Sequence, residues 1–261
     1  MPDDRGVSEV ISFVLVFSLI AATVGVVFVA GTSQLTETRD AEQLTNAERA
    51  FDVMADNIGD ITSENAPNRA TELKLSGARL VLSDPVTWNV SVEDDAGGTA
   101  FDTSEIYPIE YVAESAPKTA IVYTNGAVMR TERDGSSMKS TPNFVFGRSQ
   151  TVLPMTVTRP PRGESPGATG GSSTVLVRTS RAAQLVELAN TTDSPQTVTI
   201  NVSASDPRDD AWERYLEDRI DSNGMDTPGD TCQRPVSGHL VCEFETDQLY
   251  KTETRIDTAF G

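Results

Sequence analysis

The chain has 261 residues, with 39 acidic against 21 basic side chains and a formal charge of −18. That balance argues against nucleic acid as a partner, since phosphate binding needs a basic footprint, and against docking of the acidic part on anionic lipid head groups. The length allows one medium domain with a helical extension or at most two small domains, and the single histidine, His239, excludes two-histidine metal motifs.

Val10 to Ala30 (VISFVLVFSLIAATVGVVFVA) runs 21 residues without a charge. As a helix it covers about 31 Å, enough to cross a hydrocarbon core of about 30 Å. We therefore expect a transmembrane segment over residues 10–31. A buried core helix is the competing reading, but apolarity on every face leaves no solvent side. A removable secretory signal fits poorly, because its apolar core is about 7–15 residues long and ends at a small-residue cleavage site.

The span follows a short polar segment, Met1-Pro2-Asp3-Asp4-Arg5-Gly6-Val7-Ser8-Glu9, with the Arg5-Gly6 pair close ahead of the apolar run. This arrangement resembles the class III signal peptide of type IV pilins. With Val-Ser-Glu-Val-Ile next, it is most similar to the pilin-like proteins of archaea, halophilic ones especially. The resemblance is close over about the first thirty residues and architectural beyond them. It implies that prepilin peptidase cuts between Gly6 and Val7 on the cytoplasmic side, so that residues 1–6 are a leader and the apolar helix stays in the mature protein. It also implies an assembly role for Glu9, although Glu9 would be third in the mature chain where the bacterial glutamate is fifth. A carboxylate at the membrane edge is costly unless hydrated or paired. Water at head-group level and the amino group of Val7 on a neighbouring subunit are both open as partners.

Within the span, Ser18, Ala22 and Gly25 follow one another at spacings of four and three, on one helical face. Packed membrane helices need small residues where backbones approach, and such residues are also common in membrane helices generally. Arg5 is the basic residue ahead of the span and none follows it until Arg39, a bias that places the N-terminus inside and the C-terminus outside.

Residues 32–63 continue the helical pattern as a stalk. Leu44, Ala47, Phe51, Met54, Ile58 and Ile61 recur at spacings of three and four and form one stripe, with Asp52, Asp56 and Asp60 away from it. The stripe is too short for a coiled coil, so we expect it to pack on the chain's own β domain. Asn65-Ala66-Pro67 ends the helix, which we bound at residues 7–64, because proline disfavours helix geometry in the residue before it.

From Thr71 onward the apolar period changes to two. We expect an acidic head domain over residues 66–261, with strands at 72–75, 79–82, 87–92, 120–129, 152–158, 174–179, 184–188, 197–204, 240–244 and 251–256. Asn125-Gly126 supplies the positive φ angles of a type I′ turn inside the 120–129 hairpin. A short helix is expected over 209–220, and Arg159 to Ser173, rich in proline, glycine and serine, reads as an exposed loop. The expected fold class is α+β: a long N-terminal transmembrane and stalk helix, then a mainly antiparallel β-sandwich or barrel-like head.

No catalytic constellation and no cofactor motif stands out, and no enzyme activity is expected. A weak calcium motif exists at Asp221, Asn223 and Asp230, but Arg219 falls where the loop needs its first carboxylate. Cys232 and Cys242 fit no zinc spacing; a short disulfide closing a hairpin is expected if they lie outside the cell, and two buried, unreactive thiols are the alternative. Asn89, Asn190 and Asn201 each open an N-glycosylation acceptor pattern.

Seventeen of the basic residues are arginine and four are lysine (Lys74, Lys118, Lys139, Lys251). The acidity reads either as a well-solvated surface or as adaptation to high salt, where counterions screen carboxylate repulsion over a few ångströms; the low lysine content resembles proteins of salt-loving microbes. The pilin resemblance implies a cell-surface structural subunit, of a filament or as a minor pilin, with the membrane, prepilin peptidase and other pilin-like subunits as partners. A membrane-anchored ectodomain that never polymerises and binds an extracellular ligand or envelope component uses the same features.

Overall fold

The computed structural model describes residues 4–94, 97–101, 103–113, 119–133, 135–190, 195–204 and 208–261. The chain forms two units, Met1–Gln43 and Leu44–Gly261. Helix α1 (Asp4–Ser63) supplies the first unit and the opening segment of the second. It is already helical before the expected start at Val7, since no proline interrupts the turns between Asp4 and Val7. Its end is capped where proline and asparagine predict a stop. Asn65 adopts the left-handed conformation (φ 61°), and the N–H groups of Glu64 and Ala66 both donate to the Asp60 carbonyl.

The second unit begins at Leu44, earlier than the expected head boundary at residue 66, because the stalk's apolar stripe is buried in it. Its strands are, in chain order, β1 (Asn68–Lys74), β2 (Ala78–Leu82), β3 (Val86–Asp94), β4 (Gly97–Ala100), β5 (Ser104–Ile106), β6 (Ile109–Ala113), β7 (Ala120–Thr124) and β8 (Ala127–Glu132). Then follow β9 (Gly135–Ser140), β10 (Thr151–Arg159), β11 (Ala168–Gly171), β12 (Thr174–Asn190) and β13 (Gln196–Ser203). Helix α2 (Arg208–Ser222) and strands β14 (Cys232–Val236), β15 (His239–Thr246) and β16 (Gln248–Phe260) complete the chain. The fold is α+β, and among the described residues the pairing is antiparallel except between β10 and β16.

Among the described residues three sheets result, in the orders β1-β12-β16-β10, β11-β2-β6-β7-β8-β9 and β14-β15-β13-β3-β4, with β5 also on β3. The middle one of these is apolar on both faces. Leu80, Tyr111, Ile121, Tyr123 and Val128 point into a core shared with α1, while Val122, Ala127 and Met129 point into a second core. Strand β7 (AIVYT) is therefore buried at every position, rather than alternating as a half-buried strand would. The second core packs the β3, β13 and β15 residues Trp88, Ile200 and Phe244 against Trp212 of α2. Trp212 meets Trp88 edge-on with ring centroids 4.7 Å apart.

The turn at Asn125 (φ 48°) and Gly126 (φ 80°) closes the β7–β8 hairpin as expected. The Asn125 side chain also ties the turn to β10, where its Oδ1 accepts the Thr156 N–H at 3.0 Å. Two expectations need correction. The segments expected as separate strands at 174–179 and 184–188 are one strand, β12, with a bulge between Arg181 and Ala183. No turn-forming residue separates them, so the chain absorbs the irregularity by bulging. The glycine-rich Arg159–Ser173 connection is not all loop, since Ala168–Gly171 pairs with β2 through its backbone.

Candidate functional site

The N-terminal unit holds the most distinctive surface. Val10–Thr32 is long and apolar enough to cross a membrane. Its large apolar side chains are exposed, from 52% at Val14 to 71% at Phe13 and Val27. An apolar surface of this extent demands apolar surroundings. Its hydroxyls are compatible with them: Thr23 Oγ1 donates to the Ile20 carbonyl at 2.9 Å and Thr32 Oγ1 to that of Phe28 at 2.9 Å. A Cβ added at Gly25 would meet nothing within 4 Å, so the small face of Ser18, Ala22 and Gly25 is open. Arg5, Gly6, Val7 and Glu9 lie in the first turns of α1, and their side chains fall outside the described residues.

In the second unit the same helix carries the opposite kind of surface. Leu44, Ala47, Phe51, Met54, Ile58 and Ile61 are all buried, Phe51, Met54 and Ile61 completely. They pack on Leu73, Leu75, Val175 and Val177 and on the inner face of the middle sheet. Complete burial of such a side chain contributes about 1.5–3 kcal/mol. Polar contacts flank the stripe and set its register. Asn57 Nδ2 donates to Thr71 Oγ1, Asp60 pairs with Arg69 at 2.9 Å, and Glu48 pairs with Arg130 at 3.2 Å.

A family model described as a family of unknown function (DUF7289) matches residues 5–259. The chain belongs to this family. The match covers both the apolar helix and the β-rich unit. No curated protein and no solved structure matches the chain.

The remaining sites of this DUF7289 protein lie in the second unit. Cys232 and Cys242 form a disulfide across register partners of β14 and β15, with Cα atoms 4.1 Å apart. Asn89 and Asn201 are also register partners, on β3 and β13. Asn201 is exposed, whereas Asn89 is half-buried and donates to Thr103 Oγ1 at 3.1 Å. Asn190 ends β12, and its side chain lies outside the described residues.

The calcium motif is not assembled: no group of three or more metal-ligating side chains occurs among the described residues. Asp221 accepts a hydrogen bond from Thr231, and Asn223 Nδ2 donates to the Arg219 carbonyl at the end of α2. Asp230 is exposed.

Sequence reasoning missed two charge clusters. Lys251 is fully buried, with its Nζ 2.8 Å from Glu187 and 3.7 Å from Glu253. Glu253 also accepts from Ser104 Oγ at 2.6 Å and from Arg255 Nε at 2.6 Å, so its buried charge is compensated. The clue was slight: Lys251 is one of four lysines and sits at an inward position of an alternating strand. On β14, Arg234 pairs with Glu213, Asp210 and the buried Asp209, three acidic groups in the first turns of α2. Burial opposes charge on Arg234, but the hydrogen bonds to Glu213 and Asp210 prevail and hold its pKa above the usual value. An open cleft of about 420 Å³ is lined by Arg159, Arg162, Glu253 and Arg255. Two of its arginines are already engaged, Arg159 with Asp257 and Arg255 with Glu253.

Proposed function

We propose that this DUF7289 protein is a pilin-like structural subunit of the cell surface, with no enzymatic role. One observation carries the reading: a single helix, α1, is uncharged, predominantly apolar and uncovered over Val10–Thr32 and docked by a buried stripe over Leu44–Ile61 on a β-rich head. The first segment suits a bilayer and afterwards a bundle of like helices, while the second fixes the helix to its own domain. The Arg5-Gly6 pair ahead of the span supports cutting before Val7 by prepilin peptidase. The charge bias supports an orientation with the N-terminus in the cytoplasm and the acidic head outside. Salt-rich surroundings suit that head, whose chain carries a charge of −18 with four lysines.

Assembly through the helix predicts that the face of Ser18, Ala22 and Gly25 is a contact surface. Gly25→Leu adds a side chain into open space, so insertion and cleavage should be retained. The measurement is crosslinking of native membranes followed by sizing, wild type against Gly25→Leu. Wild-type oligomers that disappear in the variant are the expected result. A wild-type chain that stays monomeric at native expression would replace the subunit with a non-polymerising anchored ectodomain.

A further inference from the structure

Among the described residues, Lys251 is the only basic side chain that is fully buried. It stands on β16, with its Nζ 5.9 Å from the centre of the Phe101 ring, part of the second core. Its direct register partner on β12 is Glu187, whose Oε2 lies 2.8 Å from Nζ and whose side chain is three-quarters buried, at 25% exposure. Cross-strand partners have Cβ atoms about 4.5–5.5 Å apart. The two side chains therefore run along one surface and meet without bending either strand.

The choice of lysine here is informative. The chain has seventeen arginines and four lysines, and arginine is the better residue for a permanent buried ion pair. What lysine offers instead is an amine that can give up its proton and act as a nucleophile. The other lysine pair among the described residues, Lys139 with Glu48, is 4.0 Å apart with the lysine side chain 39% exposed, and the remaining pairs use arginine. A third group also stands at the amine. Glu253 Oε2 is 3.7 Å from Nζ, yet Glu253 already accepts from Arg255 Nε and from Ser104 Oγ, each at 2.6 Å. Removing the opposite charges of Lys251 and Glu187 together leaves the net charge of the cluster unchanged. A buried amide is also far less costly than two buried ions.

We propose that Lys251 and Glu187 are joined by an isopeptide bond, formed inside the folded unit with Glu253 relaying the protons. Glu253 takes a proton from the ammonium, and the freed Nζ lone pair attacks Cδ of Glu187. The new C–N bond forms, and one carboxylate oxygen of Glu187 leaves. Two of the three ammonium hydrogens depart with that oxygen as water, the third stays on the amide, and Glu253 ends as it began. The reaction needs no oxidant or activated donor, because the fold holds amine and carboxyl in contact, a proximity that free amines and acids in water lack. The amide N–H that remains faces Glu253 as its acceptor. The bond fastens β12 and β16, strands of 17 and 13 residues, to each other. It does not depend on the processing or packing of the apolar helix proposed above.

The test is peptide mass analysis of the full-length protein from native membranes, reduced, alkylated and fully denatured before digestion with trypsin. Reduction opens Cys232–Cys242, so a branch that remains is not a disulfide. The expected result is a branched peptide that joins the Glu187 and Lys251 segments, is one water lighter than the two together, and is uncut between Lys251 and Thr252. Glu187→Ala and Lys251→Met should each give linear peptides alone, and Glu253→Gln, of the same shape, should leave most of the chain unlinked. The wild type by itself decides whether the bond exists, so the result stands even if a variant fails to fold. Linear peptides with cleavage after Lys251 in the wild type would show an ordinary buried ion pair and overturn the proposal. A wild-type level of branched peptide in Glu253→Gln would overturn the relay.

Discussion

Replacing Phe51 with alanine tests what fixes the stalk to the head. Phe51 is fully buried in the middle of the stripe, between Ala47 and Met54, which are buried as well. The loss combines the transfer free energy of the ring with a cavity that the rigid sheet beneath can only partly close, and such substitutions cost about 3–5 kcal/mol. That is a large share of a typical domain stability of about 5–15 kcal/mol. The ion pairs beside the stripe should matter far less. The Glu48–Arg130 side chains are 21% and 31% exposed and the Asp60–Arg69 side chains 35% and 37%, so solvent screens them, and Glu48→Gln or Asp60→Asn should cost about 0–1 kcal/mol. Denaturant titration of the full-length protein in detergent gives the values. Both tryptophans, Trp88 and Trp212, sit in the other core, so their fluorescence reports whether losing the helix contact destabilises the whole unit. A cost for Phe51→Ala below about 1 kcal/mol, or no greater than that of Glu48→Gln, would refute docking by apolar burial.

Three further outcomes follow from the head. Reducing Cys232–Cys242 should lower the unfolding free energy of the unit by on the order of 3 kcal/mol in the chain-entropy model, seen as a lower melting temperature; an unchanged melt would show the hairpin is held by other contacts. Stability should rise as salt goes from near zero to molar levels, and a flat or falling melting temperature would leave the acidity as ordinary solvation. The Glu217 carboxyl has a raised pKa, first through desolvation and then through Glu213 and Asp221, against an opposing pull from Arg234. A carboxyl raised in the folded state favours folding below its unfolded pKa, and that contribution is lost as pH rises through the folded value. Glu217→Gln should therefore stabilise the protein near neutral pH, with the gain shrinking as pH falls through the carboxylate range; a gain that grows on acidification would contradict the assignment.

Much of the fold was legible where local pattern and tertiary burial agree. The spacing of Leu44 through Ile61 can be satisfied by one helical face, and all six residues are buried. Asn125-Gly126 announces its turn because few other pairs adopt both positive φ angles. Layering was less visible. Ala120 to Thr124 reads as a strand in either case, and nothing local reveals that sheet and helix cover opposite faces. Strand β11 was hidden because glycines and small residues pair through backbone alone, and their side chains carry no apolar period. The two halves of β12 were separated because a bulge shifts the alternation without any turn residue to mark it. In the site, the apolar span stood out by composition. Glu187 is 64 residues from Lys251, and Arg234 meets its partners only when β14 folds back along α2, so neither cluster shows in the local pattern.

The central claim is that the apolar helix is the assembly segment of a processed pilin-like subunit, and the mature N-terminus tests it most directly. Intact-mass and N-terminal peptide analysis of the protein isolated from native membranes should find a chain that begins at Val7, with Gly6→Phe leaving the precursor uncut. A chain that retains Met1 or Pro2, or one cut near Gly31 so that the helix is lost, would contradict it.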